Sequence, residues 1–208
     1  IINVIFWLVE VIIPSKFGID IVELLGLHYW LSEKFHFYQL ITNMFLHDPS
    51  GLSHLIFNMF GLFMFGSEVE QMWGGKKFLF FYFFTGIGAS IIQELSWMID
   101  THSLVTAFNT AIAEGNGTAL LPFEHMFTGG GSISNATLSN IITLKAQFLS
   151  SFISIGASGA LFGVLLAFAW LFPEARMGII FLPIMIPSRI FVAIYAVVEL
   201  FFGVANFA

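Results

Sequence analysis

The 208-residue chain has no cysteine, which excludes disulfides, thiolate catalysis and cysteine-based zinc sites. Charge is nearly as scarce. Asp, Glu, Lys and Arg make up 10% of the residues, against about 25% in soluble domains, too few to build a water-facing surface. Cations are the rarer sign, 7 Lys and Arg against 13 Asp and Glu. That balance argues against a nucleic-acid partner, because phosphate binding needs clustered positive charge. The sequence holds no His-Glu-x-x-His or similarly compact ligand pattern and no cofactor-binding motif, so neither a metal nor a cofactor is expected.

What the chain has in excess is apolar surface. Hydrophobic residues reach 58%, with 27 Phe, and mean hydropathy is +0.91. The expected fold is an all-α polytopic membrane protein whose main solvent is lipid. Apolar runs cover residues 1–13, 52–66, 78 to about 99, 152–172 and 177–207, the last broken by Pro183, Pro187 and Arg189. They predict about five transmembrane helices. Thirteen residues of helix rise only about 20 Å, short of a hydrocarbon core of about 30 Å, so the first run is expected to be the end of a truncated helix. The whole, 1–208, is expected to be one membrane domain cut at both ends.

Two stretches between the runs do not fit a span. In residues 14–51, Phe35, Phe37, Tyr38, Leu40, Ile41, Met44, Phe45 and Leu46 crowd between Lys34 and Asp48, which predicts a segment lying in the membrane interface. Residues 100–151 carry Gly129-Gly130-Gly131 and many Ser, Thr and Asn, which predicts a long loop before the fourth helix, with short amphipathic pieces. Lys76, Lys77, Arg176 and Arg189 sit in the two short connections. By the positive-inside rule those connections face the cytoplasm, and the two long segments lie on the outer side.

Polar groups inside spans are costly and need a reason. His54 and Asn58 stand at i and i+4 on one face of the second run. Ser158 lies in Gly156-Ala157-Ser158-Gly159 near the outer end of the fourth, above a small-residue stripe of Gly159, Gly163 and Ala167 that lets a neighbouring helix approach closely. A serine at the positive end of a helix is well placed for a developing anion. Each residue also has a plainer reading. Serine in a membrane helix is more often a packing residue, His54 alone suits the interface, and Asn58 alone suits an interhelical hydrogen bond. His28, His36, His102 and His125 are expected to be solvated loop residues, and Glu94 and Glu199 to reach interfacial water. Asn206 is placed near the outer mouth, and Asn116 and Asn135 head outward-facing sequons.

With His54-Leu55-Ile56-Phe57-Asn58, Gly156-Ala157-Ser158-Gly159-Ala160 and Gly66-Ser67-Glu68-Val69-Glu70 in this order, the sequence resembles the rhomboid family of intramembrane serine proteases. The resemblance implies a six-helix bundle of which about five helices are present. It implies that Ser158 is the nucleophile and that His54, Asn58 and the Ser158 backbone N–H stabilise the oxyanion. Gly156 shapes the turn, and Glu70 helps hold the cytoplasmic side of the core. The family's general base is a histidine on the sixth helix, which lies outside this chain. The implied activity is endoproteolysis of transmembrane segments by a Ser–His dyad, with no cofactor, in a multi-pass protein of a bacterial inner or cell membrane with the site toward the outer side. The implied partners are a transmembrane substrate and the lipid bilayer. Where many members carry Trp-Arg in the interfacial segment, this chain has Tyr38-Gln39. Two other readings are weighed: an inactive rhomboid-like protein that binds or escorts membrane helices, and a metal site built from His47, Asp48 and His54.

Overall fold

The computed structural model describes residues 1–49, 51–127, 133–178 and 185–205, without the side chains of 178 and 198–205. Ser50, Gly129-Gly130-Gly131, Pro183, Asn206 and the side chain of Glu199 lie outside what is described. The architecture is a helical bundle. α1 (Ile2–Phe17) runs through Pro14, four residues past the end of the first apolar run. α2 (Ile21–Leu25) is capped by the Asp20 side chain, which accepts from Glu23 N–H. β1 (Leu27–His28), α3 (Gln39–Thr42) and a 3-10 turn (Asn43–Phe45) make up the interfacial segment. α4 (Leu52–Gly61) continues through a π-helical stretch (Leu62–Gly66) into α5 (Ser67–Trp73). Then come α6 (Gly75–Glu114), 3-10 turns at Thr118–Met126 and Ile133–Asn135, α7 (Leu138–Ser150), β2 (Ile153–Ser154) and α8 (Ser158–Leu171). A hairpin of β3 (Arg176–Gly178) and β4 (Met185–Pro187) leads into α9 (Ser188–Ala205).

α4–α5 (Leu52–Trp73) and α6 are long and apolar enough to cross a bilayer, while α8 and the first part of α9 are apolar but shorter. α8 is the centre of the bundle, and α6 is its most extensive partner. The pair packs closely because glycine leaves room. A Cβ on Gly163 would lie 2.5 Å from Thr85 Cβ, and one on Gly159 would clash with the Ala89 methyl. Around this contact Met44, Val69, Tyr82, Ala160, Val164, Ala167 and Phe168 form the main buried cluster.

Residues 100–151 differ from the expected loop. α6 is one helix of 40 residues, about 60 Å long at 1.5 Å per residue, roughly twice the hydrocarbon thickness. It contains no proline, and it stops only at Gly115, whose φ of 72° is a left-handed cap. Hydropathy falls after Ile99, but the buried residues Trp97, Thr101, Leu104, Phe108 and Ala111 keep helical spacing. Beyond it Leu120, Ile133 and Ile141 join Leu104, Phe108 and Ala111 in a second buried cluster. The described part of the segment is thus helical and has a buried cluster of its own.

Trp73 and Phe78 from the α5–α6 turn, and Phe172, Ala175 and Met177 from the α8–β3 turn, flank the same cluster. The two connections rich in Lys and Arg therefore lie at one end of the bundle. Arg189 pairs with Glu174 at 2.9 Å there, and Lys77 stands 4.8 Å over the Trp73 ring. Ser158, the first residue of α8, lies at the other end.

Candidate active site

The run that enters α8 is held from two sides by the interfacial segment. β1 pairs antiparallel with β2, Leu27 opposite Ser154 and His28 opposite Ile153. Tyr29 N–H donates to the Phe152 carbonyl at 3.4 Å, and Gly156 N–H donates to the Asn43 carbonyl at 2.9 Å. Gly156 then turns with φ of 130°, a left-handed value that side-chain-bearing residues rarely adopt. Ala157 is the N-cap of α8, and Ser158 follows in the first turn, where helical N–H groups have no intrahelical acceptor.

His54 and Ser158 converge on Gly156. A Cβ placed on that glycine would lie 3.2 Å from His54 Cε1, 3.4 Å from His54 Nε2 and 3.5 Å from Ser158 Oγ. The left-handed turn is what favours glycine here, and a side chain would in addition crowd the imidazole. Ser158 is exposed and His54 half-buried. Asn58 is one turn below His54, buried, with its Nδ2 donating to the His54 carbonyl at 3.0 Å. A carboxamide has two N–H donors, and this bond uses one.

Beside Ser158 lies a cavity of about 110 Å³, lined among others by Asn43, Ser90, Gln93, Ser154, Gly156 and Ser158. Asn43 Nδ2 donates to Ser90 Oγ at 3.1 Å and to the Gln39 carbonyl. The hole is polar and large enough for water. His54 and Asn58 do not line it. Along α8 below Ser158, Leu166 and Trp170 are 60% and 86% exposed, so one face of this central helix is open.

The other expected residues are placed as follows. Gly159 and Gly163 face α6 at the contacts given above. Glu70 is exposed on α5 near Gly75, while its neighbour Val69 is fully buried. His36, His102 and His125 are exposed. His28 is not a solvated loop residue: it is fully buried in β1, with Nε2 at 2.9 Å from the Glu23 carbonyl. Glu94 does not reach interfacial water either. It is 2% exposed, and its Oε2 accepts from Trp30 N–H at 2.9 Å. Among the described residues, no three His, Asp or Glu side chains gather as a metal site.

Three residues near the site carry roles that sequence reasoning missed. Gln39 is 1% exposed. Its Oε1 accepts from His28 N–H and His36 N–H, and its Nε2 donates to the Leu24 and Lys34 carbonyls, so one carboxamide ties the interfacial segment together. Glu10 of α1 is 2% exposed and accepts His47 N–H with both carboxylate oxygens, at 3.2 and 3.1 Å. The His47 ring is fully buried, its centroid 5.3 Å from that of His54. Burial, then the nearby His54, push the His47 pKa down to about 4 against a smaller opposing effect of the Phe45 carbonyl. His47 is therefore neutral at physiological pH.

The rhomboid domain family matches residues 34–112, a stretch that includes His54, Asn58 and Glu70 and ends before Gly156 and Ser158. RHOMBOID-like protein 6, mitochondrial, from Arabidopsis thaliana is 40% identical over 58 residues, 28% of this chain and 18% of that relative. The matched part thus spans less than a fifth of the relative's length. No solved structure matches the chain. The two matches support a rhomboid family member.

Proposed function

We propose, taking rhomboid-family membership as the premise, that this chain belongs to an intramembrane serine endopeptidase acting on transmembrane segments. The observation that carries the reading is the meeting of His54 Nε2 and Ser158 Oγ across Gly156 at the head of α8. In this reading Ser158 Oγ attacks the scissile carbonyl of a substrate helix that has locally unwound. The developing oxyanion takes hydrogen bonds from the Ser158 backbone N–H, the His54 imidazole and the second N–H of Asn58. The cavity beside Ser158 supplies the hydrolytic water. The base that accepts the Ser158 proton is a histidine on a further helix, seated against the open Leu166–Trp170 face of α8, which brings it beneath the serine. α1, α4–α5, α6, α8 and α9 are the five spans. The basic connections face the cytoplasm, and the site opens at the opposite surface. Glu70 steadies the α5–α6 turn, and Gly159 and Gly163 bring α6 against the catalytic helix.

The test is labelling of the full-length protein in detergent with a serine-directed fluorophosphonate, together with cleavage of a transmembrane substrate. Labelling and cleavage are expected in the parent and absent in Ser158→Ala. Asn58→Ala is expected to lower kcat by about 10²–10³-fold, as loss of one oxyanion donor does, with little change in KM. Binding of membrane helices without labelling or cleavage would instead select the inactive, helix-escorting role.

A further inference from the structure

Trp7 and Glu10 lie three residues apart on α1 and so share a face. They grip consecutive residues of the turn that leads into α4. Trp7 Nε1 donates to the Asp48 carbonyl at 3.2 Å, and the Glu10 carboxylate takes the His47 N–H with both oxygens. A buried carboxylate in an apolar helix is costly, and packing alone would be served by a leucine. Here the carboxylate is spent on one backbone N–H, that of the residue whose ring stands against His54. The contact is a tilted one, with 56° between the ring planes. His54 itself lies at the start of its helix. It sits in the first turn of α4, whose N-cap Gly51 provides no side-chain cap, and its neighbour Leu52 is half exposed.

We infer that Glu10 is a positioning residue for His54: the α1 carboxylate fixes the His47 backbone, the His47 ring forms the wall behind the His54 imidazole, and the imidazole is thereby aimed at Gly156 and Ser158. Glu10 touches no reacting atom and acts only through His47. The inference rests on the proteolytic reading for its kinetic consequences, and on geometry alone for the orientation of His54. Oxyanion donors act by preorganisation, and displacement by about 1 Å can cost about 10²-fold in rate. Loss of the clamp therefore falls on the chemical step more than on substrate binding.

The experiment uses the full-length protein in detergent micelles. Glu10→Leu keeps the bulk and removes the acceptor, and Glu10→Gln keeps an acceptor oxygen. Glu10→Leu is expected to lower kcat about tenfold or more with KM within about twofold, and Glu10→Gln to recover most of that loss. In a His54→Ala background, Glu10→Leu is expected to add less than about twofold, because the residue it positions is gone. An equal loss in both backgrounds, or a loss confined to KM, would overturn the inference. His47→Ala leaves the clamp on the backbone and removes only the wall. It must reproduce the kcat loss, and unchanged turnover in a folded His47→Ala protein sinks the idea even where Glu10→Leu does not fold. Should the parent neither label nor cleave, the proteolytic reading fails by itself. The inference is then decided by the imidazole ¹⁵N shifts of His54, which must move in Glu10→Leu and stay near the parent's in Glu10→Gln.

Discussion

A fully buried histidine packed against a second histidine keeps its place only while neutral. For His47 the pKa falls from 6.5 in the unfolded chain to about 4 in the folded one. Between those values the unfolded chain binds the extra proton, so stability rises with pH through this window and is lost as the medium is acidified from about 6.5 to about 4. At about 1.4 kcal/mol per unit, the contribution is at most about 3.5 kcal/mol. Glu10, Asp48 and His54 stand near the same turn, so the quantity to measure is a difference. The pH dependence of thermal unfolding is expected to be steeper in the parent than in His47→Gln, which has no titrating ring. Parallel profiles would show that His47 is not the buried neutral group described here. At this scale the candidate site was only partly legible. His54, Asn58, Gly156 and Ser158 stand out because polar and backbone-permissive residues are rare in apolar runs. Glu10, Gln39 and Glu94 act on backbone N–H groups of Trp30, His28, His36 and His47, and nothing in a sequence distinguishes one backbone N–H from another. That is why Tyr38-Gln39 reads from the sequence only as a departure from Trp-Arg, when Gln39 ties residues 24–36 together.

Among the elements, the α6–α8 contact shows how differently glycines in one membrane bundle behave. A Cβ on Gly163 meets Thr85 at 2.5 to 2.6 Å, whereas Gly88 on α6 has nothing within 4 Å of the added carbon. Gly163→Val has to push the two helices apart, an overpacking change that costs about 1–3 kcal/mol. Gly88→Ala meets no neighbour and relieves a helix-interior glycine, a gain of about 0.5–1 kcal/mol. Thermal unfolding in detergent is therefore expected to move down for Gly163→Val and to hold or rise for Gly88→Ala. Equal shifts in the two variants would mean that close approach at Gly163 is not what limits the packing. The apolar runs made α1, α4–α5, α8 and α9 legible as helices but not their ends: α5 runs on to Trp73 instead of stopping at 66, and α8 and α9 begin at Ser158 and Ser188 instead of 152 and 177. The extent of α6 was not legible either, because averaged hydropathy cannot see an amphipathic helix in water. Its Trp97, Thr101, Leu104, Phe108 and Ala111 are spaced by four, three, four and three, which is the helical signal that the falling average conceals.

For the molecule as a whole, the consequence of that extension is a mechanical link between the 100–151 segment and the bundle. Phe148 of α7 packs on both the cluster around Leu104 and Phe108 and the cluster of Leu27, Tyr29, Trp97 and Leu149. Its ring lies 6.0 Å from Phe108 and 5.1 Å from Phe152, and Phe152 in turn lies 5.9 Å from Tyr29 and 5.7 Å from Trp97. Phe152 immediately precedes β2, and β2 leads to Gly156. A chain of aromatic contacts therefore runs from the far end of α6 to the backbone that orients Ser158. Aromatic pairs of this kind add about 0.5–1.5 kcal/mol each beyond burial, and truncating a half-buried phenylalanine costs about 2–4 kcal/mol. If the 100–151 segment braces the site, Phe148→Ala loosens both ends of the chain of contacts at once. Hydrogen exchange is expected to quicken in residues 104–111, in β1 and in residues 152–156, while amides at the basic end of α8 keep their protection. Faster exchange confined to residues 104–148 would show that this segment opens independently and leaves the approach to Ser158 undisturbed.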